Sequence, residues 1–286
     1  MHILFTADDK YAGRIPTVLE SINSSHPEEA IHIHLISDEL SEKLENFLSR
    51  ICSDLGYDFC IYLVSENAFT DAPVNKHYSK AMYYRMLAAE ILPQGMERVL
   101  YLDPDVLVIG SLLPLWGMEL EEDVCFAAAS HTTERGILDN INRLRLETSS
   151  NYYNTGVLLM DLTRCRKLVR RDDIITFINE NEFKLLLPDQ DVFNALYGKI
   201  TKQIPDEIWN YDARKYSQYL MKSAGAFDEY WVIRNTAVLH YCGKDKPWNS
   251  SYRFRFGTLY RHYEQLSERR EIRIRKNMAL PEERRS

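Results

Sequence analysis

The strongest structural signal in the chain is the stretch Arg98-Val99-Leu100-Tyr101-Leu102-Asp103-Pro104-Asp105-Val106-Leu107-Val108-Ile109. Its first half is short and apolar without alternation, which is typical of a strand covered on both faces. Pro104 removes a backbone donor and disfavours helical geometry at Asp103. Asp103 and Asp105 are two residues apart in extended backbone, so both carboxylates can point the same way. Two hard oxygen ligands at a strand end favour a divalent-cation site, often with a phosphate-bearing substrate.

Taken alone, an Asp-x-Asp triplet is a weak signal in a chain with 42 acidic residues. A second copy occurs at Asp189-Gln190-Asp191, where Asp189 is a natural helix cap and Gln190 and Asp191 fit a first helical turn. The position of Asp103 after a buried strand strengthens the metal hypothesis, because open α/β sheets bind ligands at the carboxyl ends of their strands.

Composition bounds the class of protein. The 286 residues are 45% apolar, enough for one large α/β domain with a sizeable core. The net charge of −7 argues against nucleic-acid binding, and no apolar run reaches the roughly 18 residues of a membrane-spanning helix. Asp8 and Asp9 interrupt any amino-terminal signal peptide. The five cysteines are widely spaced without a Cys-x-x-Cys pair, so we expect a reducing, cytoplasmic location.

Charge divides the chain into a catalytic domain, residues 1–265, and a short basic tail, residues 266–286. Residues 253–286 hold ten Lys or Arg and five Glu, whereas the remainder is acidic. A basic tail on an acidic body is typical of an interaction segment. One hypothesis places it peripherally on an anionic membrane surface, and the alternative is a solvated helix with internal ion pairs.

The order of elements predicts an α/β fold with a mostly parallel central sheet flanked by helices. Strand, helix, strand, helix, strand over the first 64 residues favours parallel pairing with right-handed crossovers. The predicted helices include Ala12–Ser25 and Ala81–Ile91. The predicted strands are His2–Ala7, Ile31–Ser37, Phe59–Val64, Val99–Leu102, Val124–Ala129, Val157–Met160, Ile200–Ile204 and Val238–His240.

The residues after the first strand argue against a dinucleotide-binding dehydrogenase. Gly13 stands alone where Gly-x-Gly-x-x-Gly would be needed, and no Walker loop occurs. Asp8 and Tyr11 fit recognition of a ribose and a base instead. The alternative is an ordinary helix start capped by Asp8 or Asp9.

Two further side chains are candidates for an anionic ligand. Arg85 is a single arginine in a mostly apolar helix, which indicates an anionic partner. His240 ends a strand and precedes a loop with Gly243 and Lys246, a plausible phosphate grip. A lone histidine at a strand end is more often structural.

Six segments in this order resemble family 8 glycosyltransferases, which include bacterial lipopolysaccharide galactosyl- and glucosyltransferases and, more distantly, glycogenin. Together they cover the chain from its first residues to about Trp248. They are Phe5–Tyr11, Tyr84-Arg85, Val99–Asp105, Asn154–Leu158, Leu187–Asp191, and His240–Gly243 with Lys246-Pro247-Trp248.

The resemblance implies a Rossmann-like nucleotide-diphospho-sugar transferase fold of the GT-A type. It implies transfer of a hexose from UDP-galactose or UDP-glucose to a saccharide or glycolipid acceptor, with retention of anomeric configuration. The implied cofactor is Mn²⁺, with Mg²⁺ possible, on Asp103, Asp105 and His240. The implied donor contacts are Ala7, Asp8 and Tyr11 around uridine, Asp103 and Pro104 through their backbone, Gly243 and Lys246 on the diphosphate, and Arg85, Asn154, Asp189 and Gln190 on the sugar.

The resemblance leaves the catalytic step open among Asp189, Gln190 and Asp191. Gln190 is nearest the family's candidate position, but an amide oxygen is a poor nucleophile. We therefore favour front-face attack, in which a β-phosphate oxygen takes the acceptor's proton and Asp189 orients the sugar hydroxyls. Asp191 as a nucleophile is the alternative.

Two loops, Asn75–Lys80 and Cys242–Trp248, are expected to close over the donor and exclude water. Lys10 departs from the galactosyl members at a position expected to contact the ribose. Ser130 stands near the position where those members have an Asp that touches galactose, so glucose and galactose stay equally open. Alternatives of other classes are a non-catalytic UDP-sugar-binding relative and a sugar-nucleotide nucleotidylyltransferase. The second lacks its Gly-rich pyrophosphate loop.

Overall fold

The structure is a computed structural model that describes residues 1–64, 81–130, 142, 144–148 and 150–279, except for the side chains at positions 81, 82, 188, 278 and 279. The predicted loop at 75–80 lies outside these residues. Ten strands form two sheets within them. The strands are β1 His2–Thr6, β2 His32–Ser37, β3 Asp58–Leu63, β4 Arg98–Leu102, β5 Val106–Val108, β6 Phe126–Ala129, β7 Asn154–Asp161, β8 Thr201–Ile204, β9 Tyr211–Asp212 and β10 Val238–His240.

The larger sheet has seven strands in the order β3-β2-β1-β4-β7-β6-β8. β1 pairs in parallel with β2 and β4, and β2 pairs in parallel with β3. β7 is antiparallel to both β4 and β6, while β6 and β8 are parallel. This confirms the mixed α/β fold with a mostly parallel central sheet. The reversed strand β7 was not predicted.

The smaller sheet has the order β5-β10-β9. β10 is antiparallel to β5 and parallel to β9. Because only three residues separate the end of β4 from the start of β5, this sheet adjoins the carboxyl end of β4. The acidic stretch Asp103-Pro104-Asp105 therefore joins the two sheets.

Helices surround the sheets, and two of those predicted are interrupted. Ala12–Ser25 is split into Asp9–Ala12 and Ile15–Ser25, with Pro16 in the first turn of the second helix, where its missing donor costs nothing. Ala81–Ile91 is split by a turn that holds Arg85. The α-helices are Asp9–Ala12, Ile15–Ser25, Glu42–Asp54, Ala81–Tyr84, Ala88–Ile91, Leu113–Trp116, Leu162–Leu168, Arg171–Asn181, Pro188–Tyr197, Asp206–Trp209, Tyr216–Lys222, Glu229–Asn235 and Gly257–Ala279; Glu182–Lys184 and Gly198–Ile200 are 3₁₀ turns.

Strand β4 is buried on both faces, as its unbroken apolar sequence predicts. Leu100 and Leu102 pack in the core cluster on one face of the sheet, with Ile3 and Phe5. Val99 and Tyr101 pack in the cluster on the other face. Burying both faces fixes the strand rigidly, so the carboxylates that follow it start from a defined position.

The carboxy-terminal helix Gly257–Ala279 crosses the predicted boundary at residue 265 and packs on the helix Ile15–Ser25. Arg270 pairs with the buried carboxylate of Glu20, and both Arg270 and Arg273 reach Asp54. The division into 1–265 and 266–286 stays a prediction. Among the described helices, none is both long and apolar enough to cross a bilayer.

Candidate active site

Three predicted metal ligands lie together at the junction of the two sheets. His240 Nε2 is 3.2 Å from Asp105 Oδ1 and 3.8 Å from Asp103 Oδ2. Each of the three side chains offers a ligand atom within 4.8 Å of the other two. An imidazole nitrogen and two carboxylates form a mixed donor set that suits a divalent cation of the first transition row.

Strand register brings these side chains together. β5 and β10 are antiparallel with Val106 opposite His240, so the imidazole lies beside the residue that precedes Val106. The Tyr241 backbone N–H donates to the Asp105 carbonyl at 3.0 Å. On the other side, the reversed direction of β7 brings its amino end to the carboxyl end of β4. The Asp103 N–H donates to the Gly156 carbonyl at 2.8 Å.

The cluster has two features that fit a bound cation. Asp105 Oδ1 is buried, and although His240 Nε2 lies 3.2 Å away, no hydrogen bond of good geometry reaches this oxygen from the described part of the chain. Gly156 lets His240 and Asp103 pack directly against the backbone of β7, because a Cβ there would lie 2.2 Å from His240 Cε1 and 2.8 Å from Asp103 Oδ2. A buried oxygen without a hydrogen bond is costly unless another partner takes its place.

Lys246 reaches into this cluster from the loop after β10. Its ammonium forms an ion pair with Asp105 Oδ2 and donates to the Tyr241 carbonyl at 3.0 Å. Burial acts to raise the pKa of Asp105, but His240 and Lys246 outweigh it and hold that pKa well below its usual range. Asp105 is therefore an anion at neutral pH.

Trp248 anchors the same loop to the first helical segments. Its ring lies 4.8 Å from the Arg14 guanidinium carbon, and its centroid is 6.1 Å from that of Tyr11 and 5.7 Å from that of Tyr260. The Lys246 ammonium lies 5.9 Å from the centre of the same ring, so both Lys246 and Tyr11 are neighbours of Trp248. Gly243 lies exposed in this loop at φ +80°, a backbone conformation that favours glycine.

Arg85 has the anionic partners that its sequence context predicts. Its guanidinium is 3.0 Å from Asp103 Oδ1 and 3.4 Å from Asp189 Oδ2, and it also donates to the Thr155 carbonyl at 2.9 Å. Arg85 stacks over Tyr101, whose hydroxyl donates to Asp103. Burial raises the pKa of Asp189, against the opposing effect of Arg85.

A run of side-chain amides leads from the imidazole to Gln190. His240 Nδ1 lies 2.8 Å from Asn210 Oδ1. Asn210 Nδ2 donates to Asn154 Oδ1 at 2.9 Å, and Asn154 Nδ2 donates to Gln190 Oε1 at 3.2 Å. Gln190 therefore belongs to the same connected site as the metal-ligand candidates.

Asp191 faces a different set of partners. Its carboxylate is fully buried and accepts from Nη1 and Nη2 of Arg145 at 2.8 and 2.7 Å. It also accepts from the Tyr152 hydroxyl at 2.6 Å and from the backbone N–H groups of Leu186 and Leu187 at 2.7 and 2.9 Å. Five donors saturate this carboxylate, so its geometry supports a structural role at the helix start and gives no support to Asp191 as a nucleophile.

The predicted uridine contacts follow the strand next to β4. Ala7 is buried, and Asp8 caps the helix Asp9–Ala12 by accepting from the Tyr11 N–H at 2.9 Å. Asp8 is therefore a helix cap, as the alternative interpretation predicted. A contact between Asp8 and a ribose stays a prediction. Pro104 is buried between the two candidate ligands.

Sequence reasoning missed Asn210, Thr155 and Arg145, and gave Gly156 no role of its own. Asn210 follows an aromatic residue and precedes a two-residue strand, which offers no periodic signal. Arg145 and Asp191 are 46 residues apart, so their pairing depends on tertiary structure. The one available signal was Gly156, a glycine inside an otherwise apolar strand, which often marks a close approach.

Comparison with known proteins assigns the family. The family model described as glycosyl transferase family 8 matches residues 2–251. The chain belongs to glycosyl transferase family 8. The chain is therefore a glycosyltransferase, and its relatives of the GT-A fold usually use a divalent metal.

The chain is also similar to several individual proteins. It is 27% identical over 272 residues to general stress protein A of Bacillus subtilis, covering 92% of each chain. It is 22% identical to a lipopolysaccharide 1,2-glucosyltransferase of Escherichia coli, covering 94% of this chain and 79% of the relative. A crystal structure of galactosyltransferase LgtC with donor and acceptor sugar analogs shares the fold, with a TM-score of 0.75, 24% identity, and 94% and 96% coverage.

Proposed function

We propose that the chain is a retaining hexosyltransferase that moves glucose or galactose from a UDP-sugar to a saccharide or glycolipid acceptor. The observation that carries the proposal is the Asp103–Asp105–His240 cluster at the end of a buried strand, with Lys246 beside it. Lipopolysaccharide glycosyltransferases among the relatives support a bacterial surface saccharide as acceptor.

We assign the diphosphate end of the donor to this cluster. Asp103, Asp105 and His240 would hold a divalent cation, with Mn²⁺ expected and Mg²⁺ possible. Such a cation stabilises the negative charge that develops on the departing UDP. Lys246 adds a compact positive charge. Lys246 would have to exchange Asp105 for a phosphate oxygen when the donor binds.

We assign the sugar to the space beside Arg85, Asn154, Asp189 and Gln190. Arg85 links Asp103 to Asp189, so one buried guanidinium ties a candidate metal ligand to a carboxylate suited to sugar hydroxyls. Ala7, Asp8 and Tyr11 would receive the uridine. Pro104 would meet the nucleotide through its backbone, and Gly243 would hold the diphosphate together with Lys246. Ser130 is buried, and its position does not distinguish glucose from galactose as the donor sugar.

The proposed reaction is a front-face substitution. The bond between the anomeric carbon and the β-phosphate oxygen breaks, and the acceptor hydroxyl oxygen bonds to that carbon on the same face. The acceptor's proton passes to a β-phosphate oxygen of the departing UDP. This route needs no protein nucleophile, which agrees with the saturated carboxylate of Asp191 and the weak nucleophilicity of the Gln190 amide.

Contact of the carboxy-terminal helix with an anionic membrane has less support than the donor site. Arg270 and Arg273 are paired with Glu20 and Asp54, and Arg275 pairs with Glu271. Fewer basic side chains remain for lipid headgroups than the sequence suggested. Equal co-sedimentation with anionic and neutral vesicles would remove the membrane hypothesis.

The proposal is tested by donor hydrolysis without acceptor. The protein is incubated with Mn²⁺ and with each UDP-sugar in turn, and UDP release is followed. Slow release from UDP-glucose or UDP-galactose, abolished in a folded Asp103→Asn variant, is expected. UDP binding without turnover of any donor would favour the non-catalytic relative, and full activity of Asp103→Asn would refute the metal assignment.

A further inference from the structure

We propose that Asn210 is a positioning residue that aligns His240 and Gln190 with each other through one directional chain of amide hydrogen bonds. The inference rests on the proposed metal and donor sites, and it adds a residue to them. Asn210 is fully buried between the helix Asp206–Trp209 and β9. It reaches the imidazole on one side and Asn154 on the other.

The direction of the chain is fixed by a backbone group. The Gly156 N–H lies 3.0 Å from Asn154 Oδ1, and a backbone N–H can only donate. The oxygen of the Asn154 amide must therefore face Gly156 and Asn210, and its NH₂ group must face Gln190. Amide orientation is often ambiguous, but here the peptide group decides it.

The orientation of the Asn154 amide fixes the hydrogen bonds of its two neighbours, Asn210 and Gln190. Toward the metal ligands, Asn210 must donate through Nδ2 to Asn154, so its Oδ1 faces His240 and requires a proton on His240 Nδ1. Toward the sugar, Asn154 Nδ2 donates to Gln190 Oε1. Each amide in the chain accepts at one end and donates at the other.

The direction of these hydrogen bonds determines which atoms of His240 and Gln190 are available to a ligand. A proton on His240 Nδ1 leaves Nε2, the nitrogen that faces Asp103 and Asp105, as the atom for coordination. At the other end, the carbonyl oxygen of Gln190 is already hydrogen-bonded, and its NH₂ group becomes a donor for the sugar or the departing oxygen. Gln190 then acts by hydrogen bonding and not as a nucleophile.

Two substitutions separate the two halves of the Asn210 amide. Asn210→Asp keeps an acceptor for His240 Nδ1 but loses the donor to Asn154. Asn210→Leu loses both. Mn²⁺ affinity of the UDP-bound protein, measured from the free Mn²⁺ signal in electron paramagnetic resonance, reports the histidine end. The kcat and KM of UDP-sugar hydrolysis report the Gln190 end.

Asn210→Leu is expected to weaken Mn²⁺ binding by roughly 10–100-fold, the usual effect of losing a partner of a metal-bound histidine. Asn210→Asp is expected to keep Mn²⁺ affinity near that of the wild type. Its kcat should fall by up to about 100-fold through misalignment of Gln190, with a smaller change in KM.

Ser21→Ala is the matched control for loss of a buried polar side chain. Ser21 is fully buried with hydrogen bonds to Val18 and Val108, and it contacts none of the amide chain. Thermal melts of all variants establish folding. Should Asn210→Leu fail to fold, Asn210→Asp carries the test alone.

The failures of the two proposals are distinguishable. A wild-type protein that binds no Mn²⁺ with UDP would overturn the proposed metal site, and the role of Asn210 with it. Normal Mn²⁺ binding in the wild type, together with wild-type kcat in a folded Asn210→Asp variant, would overturn only the amide chain. Equal loss of Mn²⁺ affinity in Asn210→Asp and Asn210→Leu would also contradict it.

Discussion

Gly156→Ala should damage the candidate metal site without replacing any of its ligands. The glycine lies in β7 against the cluster, and a Cβ there would stand 2.2 Å from His240 Cε1 and 2.8 Å from Asp103 Oδ2. To reach 3.4 Å, where ordinary contact begins, the imidazole must withdraw by about 1.2 Å, the difference between the two distances. Both close atoms belong to buried or partly buried side chains held by hydrogen bonds.

The size of that displacement sets the expected loss. Metal–ligand distances are tolerated within about 0.2 Å, so a shift of this size removes His240 as a ligand or distorts the site. A misplacement of about 1 Å costs on the order of 100-fold in rate. Overpacking should also lower the free energy of unfolding by about 1–3 kcal/mol.

The assay compares Mn²⁺ affinity in the presence of UDP, donor hydrolysis, and urea unfolding between the wild type and Gly156→Ala. Gly95→Ala is the control, because a Cβ at Gly95 meets nothing within 4 Å and its φ is ordinary. The control should keep Mn²⁺ affinity and turnover. Wild-type Mn²⁺ affinity in Gly156→Ala would refute the packing argument and the position of His240 as a ligand.

Three further predictions concern single side chains. His240→Ala should bring the affinities for UDP in Mn²⁺ and in Mg²⁺, measured by calorimetric titration, closer together, because nitrogen ligands favour the later ions. An unchanged ratio of the two affinities would show that His240 is a structural residue. Burial, then the charges of His2 and His32, lower the pKa of His34 from 6.5 to about 4, so the unfolded chain binds more protons between these values. The free energy of unfolding should therefore fall by up to roughly 3 kcal/mol as pH drops from about 6.5 to about 4, and His34→Phe should flatten that part of the urea profile. Arg145→Met should lower the free energy of unfolding by roughly 1–3 kcal/mol, because the buried carboxylate of Asp191 loses two charged donors; a change below about 0.5 kcal/mol in urea unfolding would contradict this.

The main lines of the fold were accessible from sequence because they depend on local patterns. Short runs rich in apolar residues located β1, β2 and β4 within a residue or two of their ends. The alternation of strands with helices predicted the parallel pairing of β1, β2 and β3. The direction of β7 was not accessible. Burial pattern reports that a strand is covered, but not which neighbour it pairs with or in which direction.

Some residues of the candidate site were likewise predictable from local sequence, and others were not. Asp103 and Asp105 share one short extended segment, so their proximity was predicted directly. Arg85 was a candidate because it lies alone in a mostly apolar helix, and Lys246 because it lies in a Gly- and Lys-containing loop after a strand. The roles of His240 as a metal ligand and of Asn154 as a sugar contact came from the family resemblance. The link through Asn210 depends on the register of β5, β9 and β10, which joins residues 30 apart in sequence.

The most direct test of the account is a crystal structure with UDP and Mn²⁺, with diffraction data collected at the manganese absorption edge. We predict an anomalous difference peak bounded by Asp103, Asp105 and His240, with the diphosphate beside it and the Lys246 ammonium moved from Asp105 to a phosphate oxygen. Bound UDP with no peak among these three side chains, or with the peak elsewhere, would contradict the account.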